Sequence, residues 1–372
     1  MGVRPTLSTT PVSFEISIAD TWGFCKGVAQ YLMLPSGPTS SSTTFSTGLQ
    51  RMRDSRVQEL AVERWKDEEK AEPAERNTLS HAIAITIMAL LVFAAVEASA
   101  GTHPGLRVAM CQTEIVDGDI AENMRRAEKA IREAVLREGR EKQIPRQARD
   151  DHGVDLVCLP EAADWGWLYE HSRRDAFPIP GAYADLLAKL AQELEVWVCA
   201  GCLERDGDKT YNSAVLIDRT GKIVLKHRKI NTLKFLTKNL YDTGTKDDIK
   251  VVDTEIGRVG ITICADNFNL GIPKKVADQG AWLLITPHGF AAEPDKLEKN
   301  AAEFQEHIKT ISKHTKMWVI GTNTCLGPIA AGAWKGRPHS GCSTLARPDG
   351  TAAIVARFNT PDLVLFDIPA EK

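Results

Sequence analysis

Three short turn signatures constrain how most of this chain can fold. Arg219-Thr220-Gly221, Glu255-Ile256-Gly257 and Pro348-Asp349-Gly350 each lie between two short apolar runs, the pattern of a β-hairpin. The flanking runs are 211–218 with 222–226, 249–253 with 259–264, and 341–346 with 352–356. Elsewhere, apolar runs at 106–111, 155–159, 196–200, 282–286 and 318–321 alternate with segments whose apolar residues fall at helical spacing, at 120–139, 183–194, 270–280 and 295–316. Strand–helix–strand order implies parallel pairing, whereas hairpins impose antiparallel pairing. The expected fold is therefore α/β, with mixed sheets and helices on both faces. A polar stretch at 140–152 reads as a helix end and an inserted loop.

The first hundred residues have a different texture. Residues 1–80 read as an irregular leader, Ser/Thr-rich at 36–46 and dense in mixed charges at 51–76. Within 81–100, the run from Ala82 to Val96 is 15 residues long, carries no charge, and is followed by Ala98-Ser99-Ala100. A straight bilayer-spanning helix needs roughly 20 residues, and small-x-small is a signal-peptidase pattern. Three readings stay open: a signal peptide behind a start downstream of Met1, an uncleaved membrane tether through 82–96, and a buried helix. The first two make the domain at 101–372 exported or membrane-anchored, and the third leaves it cytoplasmic. The net charge of −3 gives no footprint for nucleic acid.

Most of the eight cysteines lie in apolar, strand-like runs, as small buried hydrophobes do. The close pair Cys199/Cys202 lacks the second ligand pair that a zinc site needs, so core packing is the expectation there. Three other positions place reactive groups where a strand ends: Glu161 after 155–159, Lys229 after the second strand of a hairpin, and Cys264 at the end of 259–264. A thiol becomes a usable nucleophile beside a base and a cation. Glu161 has the chemistry to take the thiol proton and return it to a departing amine, and Lys229 to stabilise an oxyanion. Taken singly, each has an ordinary alternative: a structural cysteine, a solvated loop glutamate, a surface lysine.

The ordered set is more specific than its parts. Leu159-Pro160-Glu161, Tyr211-Asn212-Ser213-Ala214-Val215 with Arg228-Lys229, and Gly260-Ile261-Thr262-Ile263-Cys264-Ala265-Asp266 resemble, in order and separation, the nitrilase superfamily of carbon–nitrogen hydrolases. The resemblance covers about 106–367. It implies a four-layer α-β-β-α sandwich of two mixed sheets, and a triad of Glu161 as base and acid, Lys229 as oxyanion stabiliser and Cys264 as nucleophile. It further implies a thioester intermediate, no metal or organic cofactor, and a homodimer or higher homo-oligomer. The chain departs from the family pattern at Thr237, where a second glutamate is usual, and after Asp266, where Asn267-Phe268-Asn269-Leu270 replaces a basic residue and Phe-Pro-Glu. The expected substrate is a small amide or N-carbamoyl compound, contacted by Trp165 (with Trp167 at the entrance), Asp266 and His288. Nitrile hydrolysis or acyl transfer by the same triad, and a non-catalytic binding role, remain the alternatives.

Overall fold

The structure, a computed structural model, describes residues 103–138 and 153–371. The leader, the apolar segment at 81–100 and the loop at 140–152 lie outside the described residues. Among the described residues, no helix is long and apolar enough to cross a membrane.

The described residues form two six-stranded mixed sheets. The first contains β1 (Leu106–Gln112), β2 (Leu156–Cys158), β3 (Trp197–Asp206), β4 (Lys209–Ile217), β5 (Ile223–Arg228) and, from the far end of the chain, β14 (Asp362–Ile368). The second contains β6 (Val251–Thr254), β7 (Gly257–Ile261), β8 (Leu283–His288), β9 (Trp318–Asn323), β12 (Thr344–Ala346) and β13 (Ala352–Val355). A small ribbon joins β10 (Cys325–Leu326) to β11 (His339–Ser340). The spatial orders β14-β1-β2-β3-β4-β5 and β13-β12-β9-β8-β7-β6 each have a parallel centre flanked by antiparallel strands. The expectation of mixed sheets is met. A fourth hairpin, β3–β4, turns through Gly207-Asp208, and neither it nor β14 was expected from the sequence.

The parallel centres need crossovers, and four helices supply them. α1 (Ile120–Glu138) and α2 (Ala182–Leu194) cover the first sheet; α3 (Gly271–Ala277) and α4 (Leu297–Thr315) cover the second. Asp119 caps α1 by accepting the Glu122 N–H at 3.2 Å. α2 and α4 end on left-handed residues, Glu195 (φ 54°) and Lys316 (φ 61°).

Strand alternation sorts the side chains into layers. Leu106, Val108 and Met110 of β1 face the gap between the sheets with Leu283, Ile285, Trp318 and Ile320, whereas Ala109 and Cys111 face Ile131 of α1. Leu284 and Val319 face Phe304, Ile308 and Ile311 of α4. The layer order is thus α-β-β-α. Cys199 packs into the inter-sheet core and Cys202 into the helix-facing one, so the two thiols of the close pair point to opposite faces of β3.

Strand direction decides where the reactive residues emerge. β3 is parallel to β2, β4 reverses, and β5 reverses again, so β5 runs with β2. Glu161 and Lys229 therefore leave the same end of the first sheet. β3 runs so close beneath Glu161 that a Cβ on Gly201 would meet Glu161 Cα at 2.6 Å, with Ala162 N and Pro160 O both at 2.7 Å. All three are backbone atoms and cannot swing away. We expect Gly201→Ala to cost about 1–3 kcal/mol, read as a lower urea midpoint at unchanged m-value; an unaltered midpoint would show that the Glu161 segment is not seated on β3.

Candidate active site

The turn that carries Cys264 forms because a parallel ladder stops. β7 pairs with β8 as far as Ile261, and the Thr262 N–H still reaches Ile285 O at 3.2 Å. Cys264, expected at a strand terminus, instead opens a 3₁₀ turn over Cys264–Phe268 with φ at 42°. That left-handed conformation is strained for a side chain of this kind and persists only where its surroundings enforce it. Asn267 supplies part of the enforcement: its Oδ1 accepts the Thr262 hydroxyl at 2.8 Å, and its Nδ2 donates to Thr286 Oγ1 at 2.7 Å and to Cys264 O at 3.2 Å.

Asp266 supplies the rest. Its Oδ1 accepts the N–H groups of Ile230 (2.9 Å) and Asn231 (2.8 Å), and its Oδ2 accepts Ile263 N–H (3.0 Å) and lies 2.9 Å from His227 Nε2. Burial disfavours this carboxylate, but His227 and the backbone donors more than offset it and hold its pKa below the ordinary aspartate value. The side chain is fully enclosed, with both oxygens engaged. The structure thus places Asp266 as a clamp between the exit of β5, which carries Lys229, and the turn that carries Cys264.

Lys229 Nζ donates to Glu161 Oε1 at 2.5 Å, with both side chains essentially enclosed. Asn212 of β4 donates to the same oxygen at 2.7 Å. Glu161 Oε2 has no bonded partner among the described residues. Cys264 completes the group: its thiol interacts with the Glu161 carboxylate, the Lys229 ammonium and the Gly289 N–H. Burial, then the Glu161 charge, push the Cys264 pKa well up, and Lys229 and Gly289 offset this only in part. The resting sulfur is therefore a neutral thiol. Burial works against the Lys229 ammonium, but the Glu161 and Asp266 carboxylates overcome it and raise its pKa above that of a free lysine.

The wall of the site is Trp167. Its ring centre lies 5.8 Å from Lys229 Nζ, and a Cβ on Gly289 would meet its Cδ1 at 2.7 Å. Trp334 packs edge-on against it with ring centres 5.7 Å apart, and Tyr241 donates its hydroxyl to Trp167 O at 2.6 Å. Trp165 turns away, stacked on Tyr169 at 5.1 Å and beside Phe177. His288 receives the Glu161 N–H on its carbonyl at 3.4 Å, while its ring sits edge-on to Phe304 and is kept neutral by burial and by His307. Thr237 is buried and donates to Thr232 O at 3.0 Å, so no carboxylate stands there. The structure brings Glu161, Lys229 and Cys264 together and leaves the side chains of Trp165 and Asp266 occupied elsewhere. Asn212, Gly289 and Trp334 join the site; only Asn212 carried a sequence signal, the Tyr-Asn-Ser-Ala run.

A fold of two sheets that converge a carboxylate, an ammonium and a thiol at one end defines the class, and comparison with known proteins agrees with it. The profile of the carbon-nitrogen hydrolase family matches residues 107–372, and the chain belongs to that family. It is 28% identical to the chloroplastic omega-amidase of Arabidopsis thaliana, over 49% of this chain and 48% of that protein. It is 33% identical to a nitrilase of Pyrococcus abyssi, over 44% of this chain and 58% of that protein. The chain spans about half the length of the curated relatives it matches. Among solved structures, Saccharomyces cerevisiae Nit3, a member of branch 10 of the nitrilase superfamily, superposes with a TM-score of 0.59 at 19% identity, covering 72% of this chain and 91% of that one. An amidase from Nesterenkonia sp. gives 0.58 at 17% identity, covering 73% and 92%. These two likenesses are of fold.

The loop after Glu161 carries a titratable support. Asp164 is fully buried and accepts the N–H groups of Leu203 (2.9 Å) and Trp165 (2.8 Å). Burial raises its pKa to about 7, against which those donors act only partly. A raised carboxyl pKa means the folded state keeps a proton that the unfolded chain has released. Its stabilising contribution is full below about pH 4 and lost as pH rises through about 7. We expect Asp164→Asn to raise stability at pH 8 by about 1–3 kcal/mol and to flatten the thermal-stability profile between those limits. A variant profile parallel to wild type would show that Asp164 is not the titrating group.

Proposed function

We propose that this chain hydrolyses a non-peptide carbon–nitrogen bond in a small amide or N-carbamoyl compound, with Cys264 as nucleophile. The observation that carries this reading is the enclosed Lys229–Glu161 pair at 2.5 Å, with one carboxylate oxygen unbonded beside a neutral thiol. A neutral thiol needs a base at the moment of attack, and Glu161 Oε2 is the free lone pair that serves. Sulfur adds to the carbonyl carbon as its proton passes to Glu161. The oxygen that gains charge is stabilised by the Lys229 ammonium. Collapse breaks the C–N bond, the Glu161 proton leaves with the amine or ammonia, and a thioester remains. Water, deprotonated by Glu161, then attacks the thioester; the carboxylic acid departs and the thiol is restored.

Names of relatives, omega-amidase and nitrilase among them, support C–N hydrolysis and define the substrates to compare. Ammonia release should be measured across short amides, carbamoyl amino acids and nitriles, the last proceeding through a thioimidate on the same sulfur. We expect Cys264→Ala to abolish turnover and Glu161→Gln to lower kcat about 10²–10⁴-fold. Intact-mass analysis with an acylating probe should show one adduct, at Cys264, suppressed in Lys229→Ala. Labelling spread over several cysteines, or turnover surviving in Cys264→Ala, would overturn the reading.

We further propose a homodimer or higher homo-oligomer and, from the sequence at 81–100, export or a membrane tether through 82–96. Light scattering and N-terminal sequencing of the mature protein test these two points.

A further inference from the structure

Behind Trp167 lies a histidine that the proposed chemistry does not use. His339 of β11 is 2% exposed, and its Nδ1 is 2.7 Å from Gly327 O. A carbonyl only accepts, so the ring proton is on Nδ1 and Nε2 presents a lone pair. Trp167 Nε1–H donates to that lone pair at 3.3 Å. Burial lowers the His339 pKa to about 4, so the acceptor is present at neutral pH. The histidine is itself pinned. It pairs with Leu326 across the β10–β11 ribbon and bridges to Ala291, while Ser340 N–H reaches Phe290 O at 3.0 Å. It is thus carried against the segment that starts at Gly289, whose N–H faces the Cys264 sulfur.

Trp167 is otherwise held by packing against Trp334, by the Lys229 ammonium over its ring and by its own backbone. Packing tolerates small rotations of an indole, whereas a directed N–H bond to a buried acceptor fixes one pose and leaves an unsatisfied donor in the others. The ring's outer face meets Trp334, over which the Arg337 guanidinium lies at 4.7 Å while paired with Glu293 at 2.7 Å. Its pyrrole edge meets Gly289, and Lys229 Nζ lies over the ring. The pose of this one ring therefore bounds the space beside Lys229 and Gly289, the two groups that also face the Cys264 sulfur.

We propose that His339 is a positioning residue which, through its bond to Trp167, fixes the cleft that receives the acyl part of a small amide. The identity of the occupant rests on the hydrolase reading; the role of His339 in shaping the cleft does not. The probe is 2-chloroacetamide, whose carbon is attacked by the Cys264 sulfur, forming S–C and expelling chloride as the thiol proton passes to Glu161. Alkylation of the full chain at Cys264, followed by intact mass against probe concentration, separates a half-saturation constant from a limiting rate. We expect His339→Leu to raise the half-saturation constant about tenfold with the limiting rate within about twofold of wild type. His339→Gln, whose amide both accepts from Trp167 and donates to Gly327 O, should restore it. In a Trp167→Phe background, which keeps a ring and removes the N–H, His339→Leu should have no further effect.

A change confined to thermal stability, a fall in the limiting rate alone, or additive effects of the two substitutions would overturn the proposal. If His339→Leu does not fold, Trp167→Phe carries the test, and an unchanged half-saturation constant in that variant overturns it. Saturable alkylation without turnover of any amide would end the hydrolase reading, and the His339 proposal would still be decided by the half-saturation constants.

Discussion

An ion pair buried away from water is expensive to assemble. Desolvation opposes each partner by several kcal/mol, and mutual attraction repays this only where geometry and further hydrogen bonds are good. The Lys229–Glu161 pair meets both conditions. Asn212 adds a second donor to the shared oxygen, and Asp266 adds negative charge near the ammonium while fastening the backbone just past Lys229. The surrounding architecture can be read as the means of holding these groups in place. β3 supports Glu161 from below, β4 supplies Asn212, and the crossing of chain at Asp266 joins the lysine's strand exit to the turn that carries Cys264.

Much of this was legible in the sequence, for identifiable reasons. Strands at 106–111 and 318–321 and the helix at 295–316 announced themselves because a buried face imposes period two or 3.6 on the apolar residues. Hairpins flagged by a glycine in the turn were found where the flanking runs were apolar. The β3–β4 hairpin was missed although Gly207 marks its turn, because Glu204, Arg205 and Asp206 end β3 in charge. β14 was missed because acidic residues bracket a short apolar run, and its place beside β1 is a contact between the two ends of the domain that no local pattern encodes.

The site divides in the same way. Glu161, Lys229 and Cys264 were candidates from the sequence because each follows a strand-like run, and strand ends converge in α/β folds. Side-chain direction was not legible. Nothing local shows that Asp266 turns to backbone donors, that Trp167 rather than Trp165 walls the site, or that Thr237 spends its hydroxyl on a carbonyl. His339 gave no signal at all, since its meaning lies in a tautomer fixed by Gly327 and a neighbour far away in the chain.

The Glu161 carboxylate and the Lys229 ammonium hang from one sheet and the Cys264 sulfur from the other. What keeps them in register is the layer of side chains between the sheets, such as Leu283, Trp318 and Leu345, together with the Thr322 hydroxyl that reaches across to Leu159 O at 2.9 Å. Sheet spacing is therefore a chemical variable in this molecule. A methyl group gained or lost deep in that layer changes the distance between carboxylate and sulfur, so the usual boundary between residues that hold a protein together and residues that shape its site has no fixed position here.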